Sequence, residues 1–402
     1  MNSPDPGNPL WGEDWPTVRS HWTLDPSVVF LNHGSFGACP RPVLEAQAAW
    51  RLEMERQPVE FLSRRLPRLL GETREGVAGF LGADPSGLVF VPNATTAINT
   101  VLASMLLRPG DQVLCTDHAY PAVANTIGKA CSSAGAERVV CHVPLPLPKP
   151  EDIVAAVVEA ITDRTRMAIV EHVTSPTAAI LPVAEIVEAC HRRNVPVLVD
   201  AAHGPGMLPV DLSSLGCEFW TGNFHKWACA PKGAAVLVVA PERREDVHPL
   251  VTSHGMGKGL QAEFEWTGTR DPTAYLAIPA ALEFMGALGW DRVRRHNHEL
   301  VLHGRAVVSE ALRTVPPVAE SRIGSMAIAS LPDGAGTSQE EADDIQARLF
   351  EISRIEVPFI SWHGWGFVRL SAQAYNRPAD FARLAAVLPS LLRGPEGPWS
   401  CP

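Results

Sequence analysis

The chain has 402 residues, of which 46% are hydrophobic and 19% are charged, a composition that excludes a disordered protein and predicts a well-packed globular one. The formal net charge is −10, and no block of Lys and Arg with interleaved aromatic residues occurs, so neither nucleic-acid binding nor anionic-membrane binding has electrostatic support. No segment approaches the roughly 18 uninterrupted apolar residues that a membrane span needs.

The first residues, MNSPDPGNPLWGEDWP, contain neither the basic nor the apolar region of a signal peptide. A cytoplasmic location is therefore expected. The eight cysteines are scattered, without a CxxC pair or a metal-type Cys/His spacing. We expect reduced, mostly buried thiols and no metal site.

The residue pattern predicts an N-terminal arm over 1–27, a large domain over 28–275 and a smaller C-terminal domain over 276–402. In the large domain, apolar runs rich in Val and Ile alternate with helix-length segments, which predicts βαβ units and a mostly parallel sheet buried on both faces. The strand candidates are Leu88–Val91, Gln112–Thr116, Met167–Val173, Val195–Val199, Cys217–Thr221 and Ala234–Val239. The helical candidates between them are Ala94–Leu107, Ala122–Ala134, Asp152–Ile161 and Val183–Arg193.

Two later features complete the predicted α/β architecture. The proline-rich segment 143–150 suits a surface crossing, because proline cannot donate to a central ladder. After residue 275, a long helical pattern (Ala274–Leu288, then Arg292–Arg313) leads to short strands near Ser325–Leu331, Glu356–Ile360 and Gly366–Ser371. This order of elements predicts a separate α+β domain.

The run TGNFHKW at 221–227 places Lys226 just past an apolar strand, and the turn Ala230–Gly233 leads at once into another. A lysine considered alone is more often a surface residue. A lysine held between two core strands would be desolvated, which lowers its pKa and frees the amine for imine formation.

Asp200 ends the buried run VPVLVD, at the carboxyl edge of the sheet where open α/β sheets bind ligands. The common alternative for such an Asp is a helix N-cap. His203, three residues later, could orient Asp200 or contact a ligand, or could simply be a hydrogen-bonded turn histidine.

The run VPNATTA at 91–97 joins a strand to a helix, where backbone N–H groups and the helix dipole favour a phosphate group. Asn and Thr also serve simply as caps, so the run alone is weak. Together, Lys226, Asp200 and the phosphate cup (the run at 91–97) indicate pyridoxal 5′-phosphate (PLP), whose pyridine nitrogen needs a carboxylate partner.

These residues resemble the class V aminotransferase family of fold type I PLP enzymes, and in particular its isopenicillin N epimerase-like group. The resemblance runs from about residue 28 to the end of the chain. The matching stretches are FLNHGSFG (30–37), PVEFLSRRLP (58–67), VPNATTAIN (91–99), TDHAYPA (116–122), EHVTSPTAAILPV (171–183), VDAAHGPG (199–206), TGNFHKW (221–227), EWTGTRD (265–271) and VRLSAQAYN (368–376).

The resemblance implies a seven-stranded, mostly parallel sheet between helices, with a smaller C-terminal α+β domain. It implies that Lys226 holds PLP as a Schiff base and that Asp200 contacts the pyridine nitrogen. It also assigns the phosphate to the following residues: Ala94, Thr95, Thr96, His225 and Asn223.

The remaining cofactor contacts are also implied by the resemblance. Tyr120 is the first choice for the group that stacks on the cofactor ring, and His118 is the second. Thr174 or Ser175 would lie near the phenolic oxygen. Thr269 would reach the phosphate of a neighbouring subunit, which implies a homodimer with shared active sites.

On the substrate side, Arg369 resembles the family's clamp for an α-carboxylate, and Asn32 and His33 would line the same pocket. Segment 358–366 lacks the nucleophilic cysteine of cysteine desulfurases, so a persulfide relay is not expected. It carries Trp362, which either contacts a larger substrate or simply packs the small domain.

The implied enzyme forms a Schiff base with an amino-acid substrate and removes its Cα proton. Lys226 would act as the acid and base, and Asp200 and His203 would support the cofactor. Epimerisation and β-elimination by a C–S lyase stand nearly level, with transamination as the alternative and a non-catalytic PLP-binding protein as a remote one. Epimerisation needs a second acid on the opposite ring face, from Tyr120, His118 or water.

Overall fold

The computed structural model describes residues 15–393, with the backbone but not the side chains of Trp15 and Arg393. Cys401 and most of the predicted N-terminal arm therefore lie outside the described residues. The strands are β1 (Val29–Phe30), β2 (Leu88–Val91), β3 (Gln112–Thr116), β4 (Glu137–Cys141), β5 (Thr165–Glu171), β6 (Val197–Asp200), β7 (Phe219–Asn223), β8 (Ala235–Val239), β9 (Met326–Ser330), β10 (Ile355–Glu356), β11 (Phe359–Trp362) and β12 (Trp365–Ser371).

The helices begin at prolines or at capping side chains in several places, as at Pro121, Pro150 and Asn93. They are α1 (Trp15–Ser20), α2 (His33–Phe36), α3 (Arg41–Arg56), α4 (Pro58–Glu60), α5 (Leu66–Leu81), α6 (Ala94–Ser104), α7 (Pro121–Ala134), α8 (Pro150–Glu159), α9 (Val183–His191), α10 (Leu212–Leu215), α11 (Leu260–Glu265), α12 (Thr273–Leu276), α13 (Ile278–Leu288), α14 (Trp290–Leu312), α15 (Gln339–Ser353) and α16 (Pro378–Arg393). A π-helical turn, Phe61–Arg65, joins α4 to α5.

The central sheet has seven strands in the order β2-β8-β7-β6-β5-β3-β4. Strand β8 runs antiparallel to both of its neighbours, and the other pairs are parallel. Strands β2, β3, β4, β5, β6 and β7 therefore all end at the same edge. The mostly parallel seven-stranded sheet implied by the family resemblance is confirmed.

Both faces of this sheet are buried, which is why its strands lack polar alternation. On β5, Ala168 and Val170 pack into a cluster with α5, α8 and α9, whereas Met167 and Ile169 pack into a second cluster with α6 and α7. Side chains that point to opposite faces thus each meet a helix layer.

A second, antiparallel sheet has the order β11-β12-β9 and packs with α14, α15 and α16 around its own core. The N-terminal strand β1 pairs in parallel with β10, so residues just after the predicted arm lie against this C-terminal part. The domain limits at 28, 275 and 276 stay predictions.

Most predicted elements agree with the structure within a few residues, but β4 was missed. This strand lies at the sheet edge, and Glu137, Arg138 and Val140 are exposed. An edge strand with one solvent-exposed face has no continuous apolar run. It therefore does not match the pattern expected of a strand that is buried on both faces. Within residues 15–393, no helix is long and apolar enough to span a membrane.

Candidate active site

Lys226 lies in the turn that leaves β7 and returns as β8. The turn is fixed by backbone bonds: the amides of Phe224 and His225 both donate to Ala234 O, and the amide of Cys229 donates to Lys226 O. Burial, and secondarily the positive charge of Arg369, lower the pKa of Lys226 to about 7. Its amine is therefore substantially neutral near neutral pH, as the sequence predicted for a desolvated lysine.

The N-terminal segment 30–37 closes over the backbone of this turn. Gly37 has a positive φ of 72°, and a Cβ there would lie 2.1 Å from His225 O, so a side chain would collide with the turn. His33 is fully buried; its Nδ1 lies 2.8 Å from the Tyr375 hydroxyl and its Nε2 lies 3.0 Å from Lys226 O. The structure therefore makes His33 an anchor of the lysine turn.

His203 contacts the lysine side chain directly. The indole of Trp227 donates to His203 Nδ1 at 3.1 Å, and His203 Nε2 lies 3.1 Å from Lys226 Nζ. Burial, with the charges of Lys226 and Arg369, holds the pKa of His203 well below its usual value. His203 thus pairs with Lys226 and Trp227 through its two nitrogens, and an orienting bond to Asp200 is not formed.

Asp200 ends β6 at the carboxyl edge of the sheet, where it is 5% exposed. Its Oδ1 accepts a hydrogen bond from the Ala202 amide at 3.0 Å. Burial raises the pKa of Asp200, while this bond and the positive charge of Lys226 oppose the rise. A carboxylate held in such a place gains from a cationic partner, which the protonated ring nitrogen of PLP supplies.

A second acid, Glu171, was missed by the sequence reasoning. It ends β5, and its Cα is the register partner of Asp200. Thr116 donates to its Oε2 at 2.6 Å, while its Oε1 is buried without a hydrogen-bond partner. Burial raises the pKa of Glu171 to about 8, and Asp200 adds to the rise. The strand-end position was the available clue, since it is shared with Asp200.

The segment predicted to bind phosphate lies at the start of α6, where side chains already accept hydrogen bonds from two of its amides. Asn223 Oδ1 accepts from the Ala94 amide at 2.9 Å, and Asn93 Oδ1 accepts from the Thr96 amide at 2.8 Å. Thr95 lies between these two capped amides. Asn223 therefore ties the end of β7 to α6 and brings the cup beside the lysine turn.

Two other predicted phosphate contacts differ in where the structure places them. His225 stands next to Lys226, its Nδ1 lies 3.1 Å from Ala234 O, and burial lowers its pKa to about 4. Thr269 is exposed in the loop between α11 and α12.

Arg369, on β12, projects from the C-terminal sheet to this edge and is 5% exposed. Its guanidinium donates to Ser175 O at 2.6 Å and to Ser35 Oγ at 3.0 Å, while its Nε is buried without a partner. Burial lowers the pKa of Arg369 to about 10, and among residues 15–393 no carboxylate contributes to the shift. A buried, unpaired cation of this kind favours binding of an anionic group.

Ser35 is a further residue that the sequence reasoning did not single out. Its hydroxyl accepts from Arg369 and donates to Asn32 Oδ1 at 2.5 Å. Asn32 in turn donates to Glu356 Oε1 at 3.2 Å. Asn32 thus contacts Arg369 through Ser35. The sequence signal that could have identified Ser35 was its position inside the matching stretch 30–37.

The two stacking candidates occupy different surroundings. His118 is fully buried, its Nδ1 lies 2.6 Å from Thr177 Oγ1 and its Nε2 lies 2.7 Å from Val143 O. Tyr120 is 46% exposed, and it lies near enough to Arg369 to influence the pKa of the guanidinium electrostatically. Tyr120 is therefore the more solvent-accessible of the two residues.

Thr174 and Trp362 are both largely occupied by packing. Thr174 Oγ1 lies 2.7 Å from Thr177 Oγ1 and accepts from the Ala179 amide, so it stabilises a buried turn. Trp362 donates to Asp117 O at 3.1 Å, and its ring centroid lies 4.5 Å from that of His118. Ser175, which contacts Arg369, is the member of the 174–175 pair that faces the site.

These residues fit PLP, on the observations that a low-pKa lysine, a buried acid and a helix N-terminus meet at one sheet edge. Lys226 would hold the cofactor, Asp200 would face its ring nitrogen, and the start of α6 with His225 would receive its phosphate. When bound, PLP supplies the electron sink for a carbanion at the substrate Cα.

Comparison with known proteins agrees with this class of site. The sequence profile of the family described as aminotransferase class-V matches residues 38–329. Isopenicillin N epimerase of Streptomyces clavuligerus is 33% identical over 397 residues, covering 94% of this chain and 98% of its own. The probable chloroplastic L-cysteine desulfhydrase of Arabidopsis thaliana is 32% identical, covering 92% and 84%. The chain belongs to the class V aminotransferase family.

Solved structures share the fold. A mutant of C-DES with glycine covalently linked to the PLP cofactor superposes with a TM-score of 0.78 at 20% identity, covering 94% of this chain and 98% of its own. The cystine C–S lyase C-DES bound to its product cysteine persulfide also gives 0.78 at 21% identity, covering 90% and 97%. With the family membership, this confirms fold type I, and the protein is a PLP-dependent enzyme.

Proposed function

We propose that this enzyme removes the Cα proton of an amino-acid substrate, with Lys226 as the acid and base and Arg369 as the partner of the α-carboxylate. The buried guanidinium of Arg369, which has no carboxylate partner among the described residues, carries the proposal. The positive charge of Arg369 contributes to the lowered pKa of Lys226, so the two groups lie close enough to interact electrostatically.

The proton-transfer role of Lys226 follows from its neighbours. Trp227 donates to His203 Nδ1, so a neutral His203 carries its proton on Nε2, which points at Lys226 Nζ at 3.1 Å. The lysine nitrogen then accepts this bond, which requires a neutral amine. A neutral amine can take a proton from a neighbouring carbon acid once its lone pair turns from His203 to that proton.

The fate of the substrate after proton removal defines two products. A leaving group on Cβ gives β-elimination, as expected of a C–S lyase acting on a cysteine conjugate, and return of a proton on the opposite face gives epimerisation. Relatives with names of both kinds, epimerase and desulfhydrase, align over nearly the whole chain.

The surroundings of the two stacking candidates bear on epimerisation. Both nitrogens of His118 are engaged by Thr177 and Val143. Tyr120 is therefore the side chain that would supply the second acid, since this residue is exposed and acts electrostatically on Arg369. β-Elimination needs no such group. Transamination is the alternative outcome.

The experiment is incubation of the purified enzyme with L-amino acids and S-substituted cysteines in D₂O. Deuterium at Cα with racemisation identifies an epimerase, and pyruvate with ammonia identifies a lyase. Absence of both deuterium exchange and product formation across the panel would contradict the proposal.

We also propose a homodimer with shared active sites. Thr269 is exposed in the loop between α11 and α12, which suits a contact with the phosphate of a partner's site. Mixing an inactive Lys226→Ala chain with an inactive Thr269→Ala chain should restore part of the activity in hybrids. A monomer in solution would contradict this proposal. The cytoplasmic location stays a prediction.

A further inference from the structure

A cluster of two histidines and one aspartate lies beside Trp362, outside the residues assigned to PLP or substrate. Asp117 follows β3, His142 follows β4, and His363 lies in the turn between β11 and β12. One ligand atom from each, Asp117 Oδ, His142 Nδ1 and His363 Nε2, lies within 4.8 Å of the others. We propose that these three side chains bind a divalent transition-metal ion, with zinc as the best match.

The carboxylate of this trio is held in a fixed orientation. Asp117 Oδ1 accepts from the Val143 amide at 3.0 Å, and only 6% of its side chain is exposed. Its other oxygen, Oδ2, is hydrogen-bonded by His142 Nδ1 and lies 3.3 Å from His363 Nε2. The oxygen that would bind the metal thus already faces both histidines.

The hairpin geometry presents the third ligand. Trp362 and Trp365 pair across the ladder, so His363 and Gly364 form a two-residue turn, and both have positive φ, 48° and 79°. Such turns favour Asn and Gly, so a histidine here departs from the usual turn chemistry. The turn carries His363 from the C-terminal sheet to the carboxyl edge of β3.

Two imidazoles and one carboxylate are typical ligands of zinc, which is commonly four-coordinate with an open position for water. Ligand atoms about 2.0–2.1 Å from a tetrahedral ion lie about 3.3 Å from one another. The Asp117–His363 spacing already has that value. The side chains of His142 and His363 are 65% and 51% exposed, so both can adjust and an ion can enter from solvent.

His118 lies near this trio but is not a fourth ligand. Its Nε2 is 3.8 Å from Asp117 Oδ1, and both of its nitrogens are engaged by Thr177 and Val143. The expected fourth ligand is therefore water. Because the three ligands come from separate segments, no local spacing in the sequence reveals the site.

A bound ion would fasten the β11–β12 hairpin to the central sheet. Trp362 lies between His363 and His118, with ring centroids 4.4 Å and 4.5 Å away, and donates to the backbone of Asp117. Metal binding would therefore hold Trp362 against His118 and stabilise the packing of these two residues beside the active site.

The test is zinc titration of the chelator-treated, PLP-loaded enzyme against a chromophoric chelator, together with thermal unfolding. We expect one zinc ion per chain at this site and a zinc-dependent rise in Tm, since an ion that binds the folded state stabilises it. His142→Ala and His363→Ala should each weaken zinc binding by about 10²-fold or more and remove the rise in Tm. Their zinc-free Tm should remain near that of the parent, because both residues are exposed.

A matched control is His191→Ala. His191 is also partly exposed and pairs with a carboxylate, Glu218, at 3.2 Å, but it is not part of the trio. This variant should keep the zinc site. Anomalous diffraction at the zinc edge locates the ion independently of turnover. Equal zinc binding by the parent and the His142→Ala/His363→Ala double variant, or an anomalous peak elsewhere, would overturn the proposal.

Discussion

Lys226 Nζ lies 3.1 Å from His203 Nε2, and the opposite nitrogen of that ring accepts a hydrogen bond from the Trp227 indole. The indole acts only as a donor, so it determines which imidazole nitrogen carries the proton. The histidine then donates to the lysine amine. Trp227, adjacent to the lysine in sequence, thus favours the neutral form of the lysine through His203.

Replacement of Lys226 by Ala should abolish the visible absorbance of bound PLP and its fixation by borohydride, because the amine that holds the cofactor is gone. Turnover should fall by about 10²–10⁴-fold or more from the loss of acid–base catalysis alone. Absorbance spectra and circular dichroism test this expectation. Lys232→Arg, a nearby lysine that donates to Gly37 O, should retain the absorbance band. A band persisting in Lys226→Ala would rule out this residue.

The reaction of the cofactor-free enzyme with added PLP should accelerate as the pH rises through about 7, the pKa to which burial lowers Lys226. Above that pH the amine is neutral and nucleophilic, whereas an ordinary lysine would show the rise near 10.5. Stopped-flow absorbance measures the rate. A rise confined to pH values near 10 would show that the amine is not desolvated.

Replacement of Glu171 by Gln should increase the free energy of unfolding, and the increase should grow from about pH 4.5 to pH 8. The folded pKa of Glu171 is raised from 4.5 to about 8. Between those values the folded state holds a proton that the unfolded state has released, so stability falls as pH rises. Glutamine has no such titration. Urea unfolding of both proteins at pH 5 and pH 8 gives the difference, and an equal effect at both pH values would contradict a protonated Glu171.

Replacement of Arg369 by Ala should lower kcat/KM for amino acids by about 10²-fold or more, chiefly through KM, because a bidentate partner of the carboxylate is lost. Arg369→Lys should restore little, since lysine lacks the planar fork that also holds Ser175 and Ser35. Steady-state kinetics with an amino acid and its decarboxylated amine test this. If both substrates lose activity equally, Arg369 does not bind the carboxylate.

Tyr120→Phe should separate the two proposed outcomes. The substitution removes one exposed hydroxyl and keeps the ring, so β-elimination should change by only a few-fold. Epimerisation should be lost if Tyr120 supplies the proton on the second face. Chiral chromatography and pyruvate release from the same reaction mixture measure both. Unchanged racemisation by Tyr120→Phe would assign that proton to water or another group.

The sequence could predict features that depend on local patterns. The apolar runs predict β2, β3 and β5–β8 because a strand buried on both faces has no polar position. Lys226 and Asp200 were found because each follows a core strand at the edge where ligands bind. The edge strand β4 was missed because its exposed residues lack such a pattern.

Hydrogen bonds between residues far apart in sequence could not be predicted from such local patterns. The hydrogen bonds of His33 to Lys226 O and of Asn32 to Ser35 were not predicted. That His33 and Asn32 line the substrate pocket stays a prediction. Glu171, one residue among many acids, became distinctive only when strand pairing set it beside Asp200.

By itself, the sequence predicted the α/β class, the cofactor and Lys226 as the lysine that would hold it, because these follow from hydrophobic periodicity and from motifs contiguous in the chain. Only the tertiary structure decided the protonation of Lys226, the unpaired state of Arg369 and the meeting of Asp117, His142 and His363. Each of these depends on burial and on distances between residues far apart in sequence, and such distances are set by the packing of the whole chain.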